Sequence, residues 1–303
     1  MLHNTNTKMI DKIRKLKKYL NYKYITIKSR YSNHTLNLPE GTAVFLIGKI
    51  RDRKVYDNIL RLIPDNVLIF SHTDKFNSSS NRENMYKIDD TNHEFIMELD
   101  IIKEKYFSNT GLIQWLRLKH TMNEMKRFEK KINKKFKFIL KIRTDWIITK
   151  SNFEDCEWDD NTVYAARDHI FFSKRDSFLT LCNLYDYKDT YFANTFKYSN
   201  IDYDCLVNSD WDACRFDCLY YPLRIVGEIS SSSLLKKSII KNIDELLLYQ
   251  PQDGDEYISM SRHIRNFSSE AIMVLHLNKH HKIIKSSKKY INGFLDLKRK
   301  NFD

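Results

Sequence analysis

Two hydrophobic periods alternate along this chain. Thr42-Ala43-Val44-Phe45-Leu46-Ile47-Gly48 is a near-continuous apolar run, the pattern of a central parallel strand covered on both faces. Tyr56, Ile59, Leu60 and Ile63 fall at helical spacing, and Pro64-Asp65-Asn66 stops that helix. Val67 to Phe70 gives a second strand with a polar end, Ser71-His72-Thr73-Asp74. Met85 to Asp89 reads as a short third strand and residues 93–107 as a helix. Leu112, Trp115, Leu118, Met122, Met125, Phe128 and Ile132 then trace one buried face of a long helix. Phe136, Phe138, Leu140 and Ile142 recur with a period of two, the mark of a strand, and this strand ends in Arg143-Thr144-Asp145. In an extended backbone Arg143 and Asp145 point to the same side. The succession predicts an α/β fold that delivers a carboxylate to the C-terminal edge of its sheet, where open α/β sheets bind ligands.

Downstream, residues 151–161 are acidic and loop-like. Val163 to Ala166 and Ile170 to Ser173 read as short strands on either side of Arg167-Asp168-His169, and residues 175–186 as a helix. The segment 187–222 is rich in Tyr, Asp, Asn and Cys without a clear period, and Leu219 to Val226 reads as an edge strand broken by Pro222. Ser268-Ser269-Glu270 is a capped start ahead of the apolar Ala271 to Leu277, a helix or a strand. No internal repeat is visible. The chain divides into a basic amphipathic segment over 1–38, a main domain over 39–285 and a basic tail over 286–303.

Composition narrows the class. A chain of 303 residues with 42% apolar and 13% aromatic content buries a substantial core and is not generally disordered. The net charge of +12 favours polyanions, anionic headgroups or nucleotide substrates. The Lys, Asn and Ile excess runs through the whole sequence, which weakens that inference. Five cysteines, an odd count without a Cys-x-x-Cys pair, point to reduced thiols in a cytoplasmic protein. Cys214 and Cys218 share a helical spacing but have no His at a zinc-ligand distance. No signal-peptide h-region and no apolar run near the ~20 residues of a membrane span occurs. Met9, Ile10, Ile13, Leu16 and Leu20 form a stripe among Lys8, Lys12, Arg14, Lys15, Lys17 and Lys18. That basic amphipathic helix docks on an anionic membrane face, packs as an ordinary surface helix, or is a partly disordered leader. The absence of Gly-x-Gly-x-x-Gly and Walker sequences excludes the common dinucleotide and P-loop signatures.

Several short pieces, taken in order, carry a resemblance. They are Gly48 to Arg51, Val67 to Thr73, Gln114 to Lys119, Phe128-Glu129, Arg143-Thr144-Asp145, Arg167-Asp168-His169-Ile170-Phe171-Phe172-Ser173 and Ser269-Glu270. Over residues 42–280 the chain resembles the WavE family of lipopolysaccharide-synthesis proteins and related GT-A-like glycosyltransferases. The resemblance implies a GT-A-like, Rossmann-like, mostly parallel mixed sheet flanked by helices. It also implies transfer of a sugar from a nucleotide-sugar donor to a lipopolysaccharide, capsule or other glycan or glycolipid acceptor. Such enzymes hold a divalent cation, Mn²⁺ or Mg²⁺, on a strand-end Asp-x-Asp. Here Arg143 stands where the first Asp is expected, so Asp145 is the metal candidate, with His276 as a further ligand candidate or an ordinary core His. Gly48, Arg51, Arg143 and Asp145 are the donor-binding candidates; Lys49 and Arg53 flank them, in a run that also reads as a solvated charged face. Asp168 and Glu270 are candidates for the base that takes the acceptor's proton. As plain structure Asp168 caps a loop and Glu270 favours a helix start.

Asp202-Tyr203-Asp204 and Asp210-Trp211-Asp212 are rivals for the cation, in an aromatic segment suited to stacking on sugar rings. Two further classes compete: a catalytically inactive GT-A-like scaffold of a polysaccharide-assembly complex, and a basic nucleic-acid-binding protein. No nucleic-acid-binding signature supports the second. The expected location is the cytoplasm, peripheral to the inner face of the cytoplasmic membrane.

Overall fold

Strand β1 (Thr42–Gly48) is the axis of the molecule, because Thr42 through Ile47 are buried and need cover on both faces. A computed structural model describes residues 35–74, 82–105, 110–166, 168–191 and 269–295. From β1 the chain enters α1 (Arg53–Leu62), capped by Asp52, whose side chain accepts from the Lys54 N–H at 2.7 Å. It returns through β2 (Leu68–Thr73) and adds β3 (Met85–Ile88). Helices α2 (His93–Lys105) and α3 (Thr110–Ile132) lead to β4 (Phe138–Arg143). Next come β5 (Trp146–Ser151), β6 (Thr162–Ala166), β7 (Ile170–Lys174) and α4 (Arg175–Cys182). A tight 3₁₀ turn (Asn183–Tyr187) and the single turn α5 (Lys188–Tyr191) follow. The last described elements are α6 (Ser269–Lys279), β8 (Ile283–Ser286) and β9 (Ile291–Leu295).

The seven-stranded sheet has the order β3-β2-β1-β4-β7-β6-β8. Its first four strands are parallel, and β7 alone runs antiparallel, between β4 and β6. One face packs Phe45, Phe70, Ile139 and Phe171 against Trp115 and Met122 of α3, Phe178 of α4 and Ile272 of α6. The other packs Val44, Leu46, Leu140 and Phe172 against Ile59 of α1 and a separate two-stranded ribbon, β5–β9. At the N-terminal edge Glu129, near the end of α3, accepts two hydrogen bonds from Arg175, at 3.0 and 2.7 Å, and one from the Phe136 N–H at 2.9 Å. That carboxylate ties α3, β4 and α4 together and is structural.

The expected α/β class, with a mostly parallel sheet between helices, is what the chain forms. Three local features go beyond what the sequence pattern records. The period-of-two pattern in β4 does not separate an inner from an outer face: Ile139, Leu140, Lys141 and Ile142 are all buried, since the strand is covered on both sides. The apolar Trp146-Ile147-Ile148 belongs to a different sheet from β4, because the Arg143-Thr144-Asp145 corner turns the chain out of the main one. The stretch read as a basic tail contains β9 and the last residue of β8. The basic N-terminal helix, the Leu219–Val226 strand and both Asp-x-Asp sequences lie outside the described residues. Among the described residues no helix is long and apolar enough to cross a membrane, and Cys156 and Cys182 are free and buried.

Candidate active site

The strand order reverses between β1 and β4: the chain builds outward from β1 through β2 to β3, then returns to place β4 on β1's other side. The C-terminal ends of strands at such a switch point form the crevice where α/β folds hold ligands. Ile47 pairs with Arg143 in register, so Gly48 and the Arg143-Thr144-Asp145 corner meet at that crevice. Gly48 has φ +127°, a region that side chains avoid. A Cβ there would also press on Thr144 Oγ1 at 3.3 Å and Arg143 Cγ at 3.4 Å. The Thr144 hydroxyl donates to the Lys49 carbonyl at 2.8 Å, and Asp74 at the end of β2 accepts from the Ile50 N–H at 2.9 Å. These bonds fix the loop carrying Lys49, Ile50 and Arg51.

Arg143 is the hub of the corner. Its Nε and Nη2 donate to the two oxygens of Asp145 at 2.7 and 2.9 Å, and its Nη1 donates to Asp168 Oδ2 at 3.0 Å. Both carboxylates are largely withdrawn from solvent, Asp145 at 3% exposure. Burial alone lowers a guanidinium's pKa, but Asp145 and Asp168 outweigh it and raise that of Arg143. Arg51 adds a looser contact, its Nε 3.5 Å from Asp145 Oδ2, and its side chain is 40% exposed. Asp168 reaches the corner because β7 pairs with β4, Ile142 opposite Ile170. Burial pushes its carboxyl pKa up, yet His169, Arg143 and Lys141 together hold it well below the usual range.

His169 and Lys141 complete the cluster. His169 Nδ1 stands 2.8 Å from Asp168 Oδ1, bent out of hydrogen-bond alignment, and its ring stacks on Trp146 with centroids 4.5 Å apart. Burial keeps its pKa below the usual imidazole range, against the pull of Asp168. Lys141 is fully buried mid-strand; its ammonium donates to the Asp168 carbonyl and lies 4.6 Å from the centre of the Phe171 ring. Gln114 of α3 donates to the same carbonyl at 3.0 Å. Sequence reasoning passed over Lys141, although a lysine flanked by Leu140 and Ile142 was itself a signal. A cation inside an apolar strand needs partners.

The structure thus brings Gly48, Arg51, Arg143, Asp145 and Asp168 together. Glu270 sits in the first turn of α6, and three residues separate the end of that helix from β8, which runs parallel to β6. The helix therefore starts toward the same C-terminal edge as the Asp145 corner. His276 does not join the corner. It is fully buried on α6, with Nε2 2.9 Å from the Thr180 carbonyl of α4 and its ring against Tyr187 and His280.

The donor set does not fit the divalent cation that the resemblance implies. Asp145 gives both oxygens to Arg143, His276 is engaged elsewhere, and no group of three or more His, Cys, Asp or Glu among the described residues converges as a cation site.

His276 carries a pH prediction instead. Burial pulls its pKa down to about 4, against the hydrogen bond with Thr180. The unfolded chain, at ~6.5, takes up the proton first as pH falls. Stability from this group is therefore whole above ~6.5 and lost as pH falls through 4. Urea unfolding at pH 7 and at pH 4.5 should differ by about 2 kcal/mol more in wild type than in His276→Gln. Equal losses in the two proteins would show that His276 takes up its proton in the fold as readily as in the unfolded chain.

Comparison of the chain with protein families, curated proteins and solved structures finds no match in any of the three.

Proposed function

We propose that this chain is a nucleotide-sugar-dependent glycosyltransferase acting on a lipopolysaccharide, capsule or related surface-glycan acceptor. The observation that carries the reading is the meeting of Arg51, Arg143, Asp145 and Asp168 at the C-terminal ends of β1 and β4, where the strand order reverses. A nucleotide-sugar carries charged phosphate, and the guanidinium groups of Arg51 and Arg143 at the C-terminal edge of the sheet, where α/β folds hold such ligands, suit that charge. The GT-A-like resemblance of the sequence points the same way.

Within this reading the two candidate bases divide. Asp168 is held ionised by Arg143, His169 and Lys141, and a carboxylate so stabilised accepts a proton poorly. It acts as the anion that positions Arg143 and His169. Glu270, in the first turn of α6, is assigned the acceptor's proton. The protein works in the cytoplasm, at the inner membrane face where a glycolipid acceptor would lie.

A thermal-shift screen of the purified protein against UDP-, GDP-, CMP- and dTDP-sugars tests this. A ligand at a hundred times its Kd adds about 2.7 kcal/mol. One nucleotide class should raise Tm in wild type and fail to do so in Asp145→Asn, which keeps the side-chain shape and removes the charge. A folded sample that responds to no donor would sink the reading. One observation favours a catalytically inactive scaffold: Arg143 closes off the Asp145 carboxylate. Donor binding without turnover on any glycan acceptor would decide for it.

A further inference from the structure

We infer that the donor's diphosphate is bound, and its leaving charge met, by the guanidinium groups of Arg51 and Arg143 without a metal ion. Asp145 then serves as the anchor of those two arginines. This rests on the nucleotide-sugar reading above and goes beyond it by assigning the groups that neutralise the diphosphate.

The geometry assigns Asp145 a partner before any ligand arrives. Its oxygens accept from Arg143 Nε and Nη2 at 2.7 and 2.9 Å. A cation on Asp145 would have to displace that pair and leave a buried guanidinium short of its partner, which is strongly unfavourable. Arg143 spends three N–H groups on Asp145 and Asp168, out of the five a guanidinium carries. Arg51 is held more loosely: 3.5 Å from Asp145 Oδ2 is longer than a hydrogen bond, and the side chain is 40% exposed. It is tethered near the crevice and free to turn to an arriving phosphate. Gly48 brings no side chain to the place where these groups converge.

In the transfer, the acceptor oxygen bonds to the anomeric carbon as that carbon's bond to the terminal phosphate oxygen breaks. The electron pair stays on the phosphate oxygen, and the acceptor's proton passes to a carboxylate. The nucleoside diphosphate leaves with one negative charge more than it carried as the sugar ester. Guanidinium groups match phosphate oxygens in pairs and meet that charge directly.

Isothermal titration with UDP, GDP, CDP and dTDP, each in EDTA and in Mn²⁺, tests the clamp on wild type, Arg51→Ala and Arg51→Lys. One diphosphate should bind equally well in both buffers. Arg51→Ala should weaken it roughly 10- to 100-fold, the usual effect of losing a charge-assisted contact, with Arg51→Lys in between. Ligand-free Tm should not change, because Arg51 is an exposed member of the cluster. Binding that needs Mn²⁺, or that Arg51→Ala leaves intact, overturns the clamp and leaves the glycosyltransferase reading standing. So does a thermal response to CMP-sugars alone, which carry no diphosphate. No binding of any diphosphate or nucleotide-sugar in either buffer overturns both.

Discussion

Arg143→Ala should destabilise the protein by about 3–5 kcal/mol, the effect of removing one partner from a buried ion pair. The loss would be read as a lower urea midpoint with an unchanged slope. In the native protein one guanidinium serves both oxygens of Asp145 and one oxygen of Asp168. Deleting it takes the paired donor from Asp145 and one of the cations that favour ionised Asp168, both largely withdrawn from solvent. Arg143→Lys should recover only part of the loss, because an ammonium is a point charge and cannot span both oxygens of Asp145. The Arg143→Ala/Asp145→Ala double variant should be less destabilised than the two single losses added together. Simple additivity would show that the groups do not depend on each other. The same cluster limits acid stability. With its pKa held below the unfolded ~3.9, Asp168 contributes stability that is present above that pH and lost as pH falls toward the folded value. In Arg143→Ala that acid sensitivity should be weaker, since one of the cations favouring the ionised carboxylate is gone.

Gly293→Ala should cost about 3 kcal/mol, at the upper end of overpacking effects, and should disturb the site from a distance. A Cβ on residue 293 would fall inside the Ile147 carbonyl oxygen and the indole of Trp146. A backbone carbonyl cannot swing aside as a flexible side chain can, so the β5–β9 ribbon has to separate or the indole has to turn. The indole stacks on His169, which stands against Asp168. A change in tryptophan fluorescence should therefore accompany the loss of stability. Unchanged fluorescence with wild-type stability would mean that the ribbon opens to admit a methyl group at no cost.

Much of the parallel half of the sheet was legible because its signals are local. An apolar run from Thr42 to Gly48, a helical stripe ended by Pro64 and a long stripe from Leu112 to Ile132 each reveal their element without reference to any other. The meeting of Arg143 and Asp145 was expected from an extended backbone, but Thr144 and Asp145 form a turn, and the two side chains pair across it. What failed depends on partners far along the chain. Asp168 meets Arg143 only because β7 pairs with β4, and no local pattern records that pairing. The ribbon was missed because Trp146-Ile147-Ile148 prolongs the apolar character of β4, and Ile291 to Leu295 is short and set among lysines. His276 was grouped with Asp145 by its residue type and its nearness in sequence to Glu270. Six residues turn a helix through about 240°, so positions 270 and 276 do not share a face.

The ribbon also sets an order of events during synthesis. β5 leaves the ribosome next to the Asp145 corner, while β9, its partner among the described residues, is encoded about 140 residues later. At ~5–20 residues per second the interval is roughly 7–30 s. Throughout it the corner lacks its outer brace, and Trp146, Ile147 and Ile148 lie along an open strand edge, the kind of edge on which nascent chains associate. The crevice is therefore among the last parts of the fold to close, and a chain that stalls before residue 291 holds the Asp145 corner beside an adhesive edge.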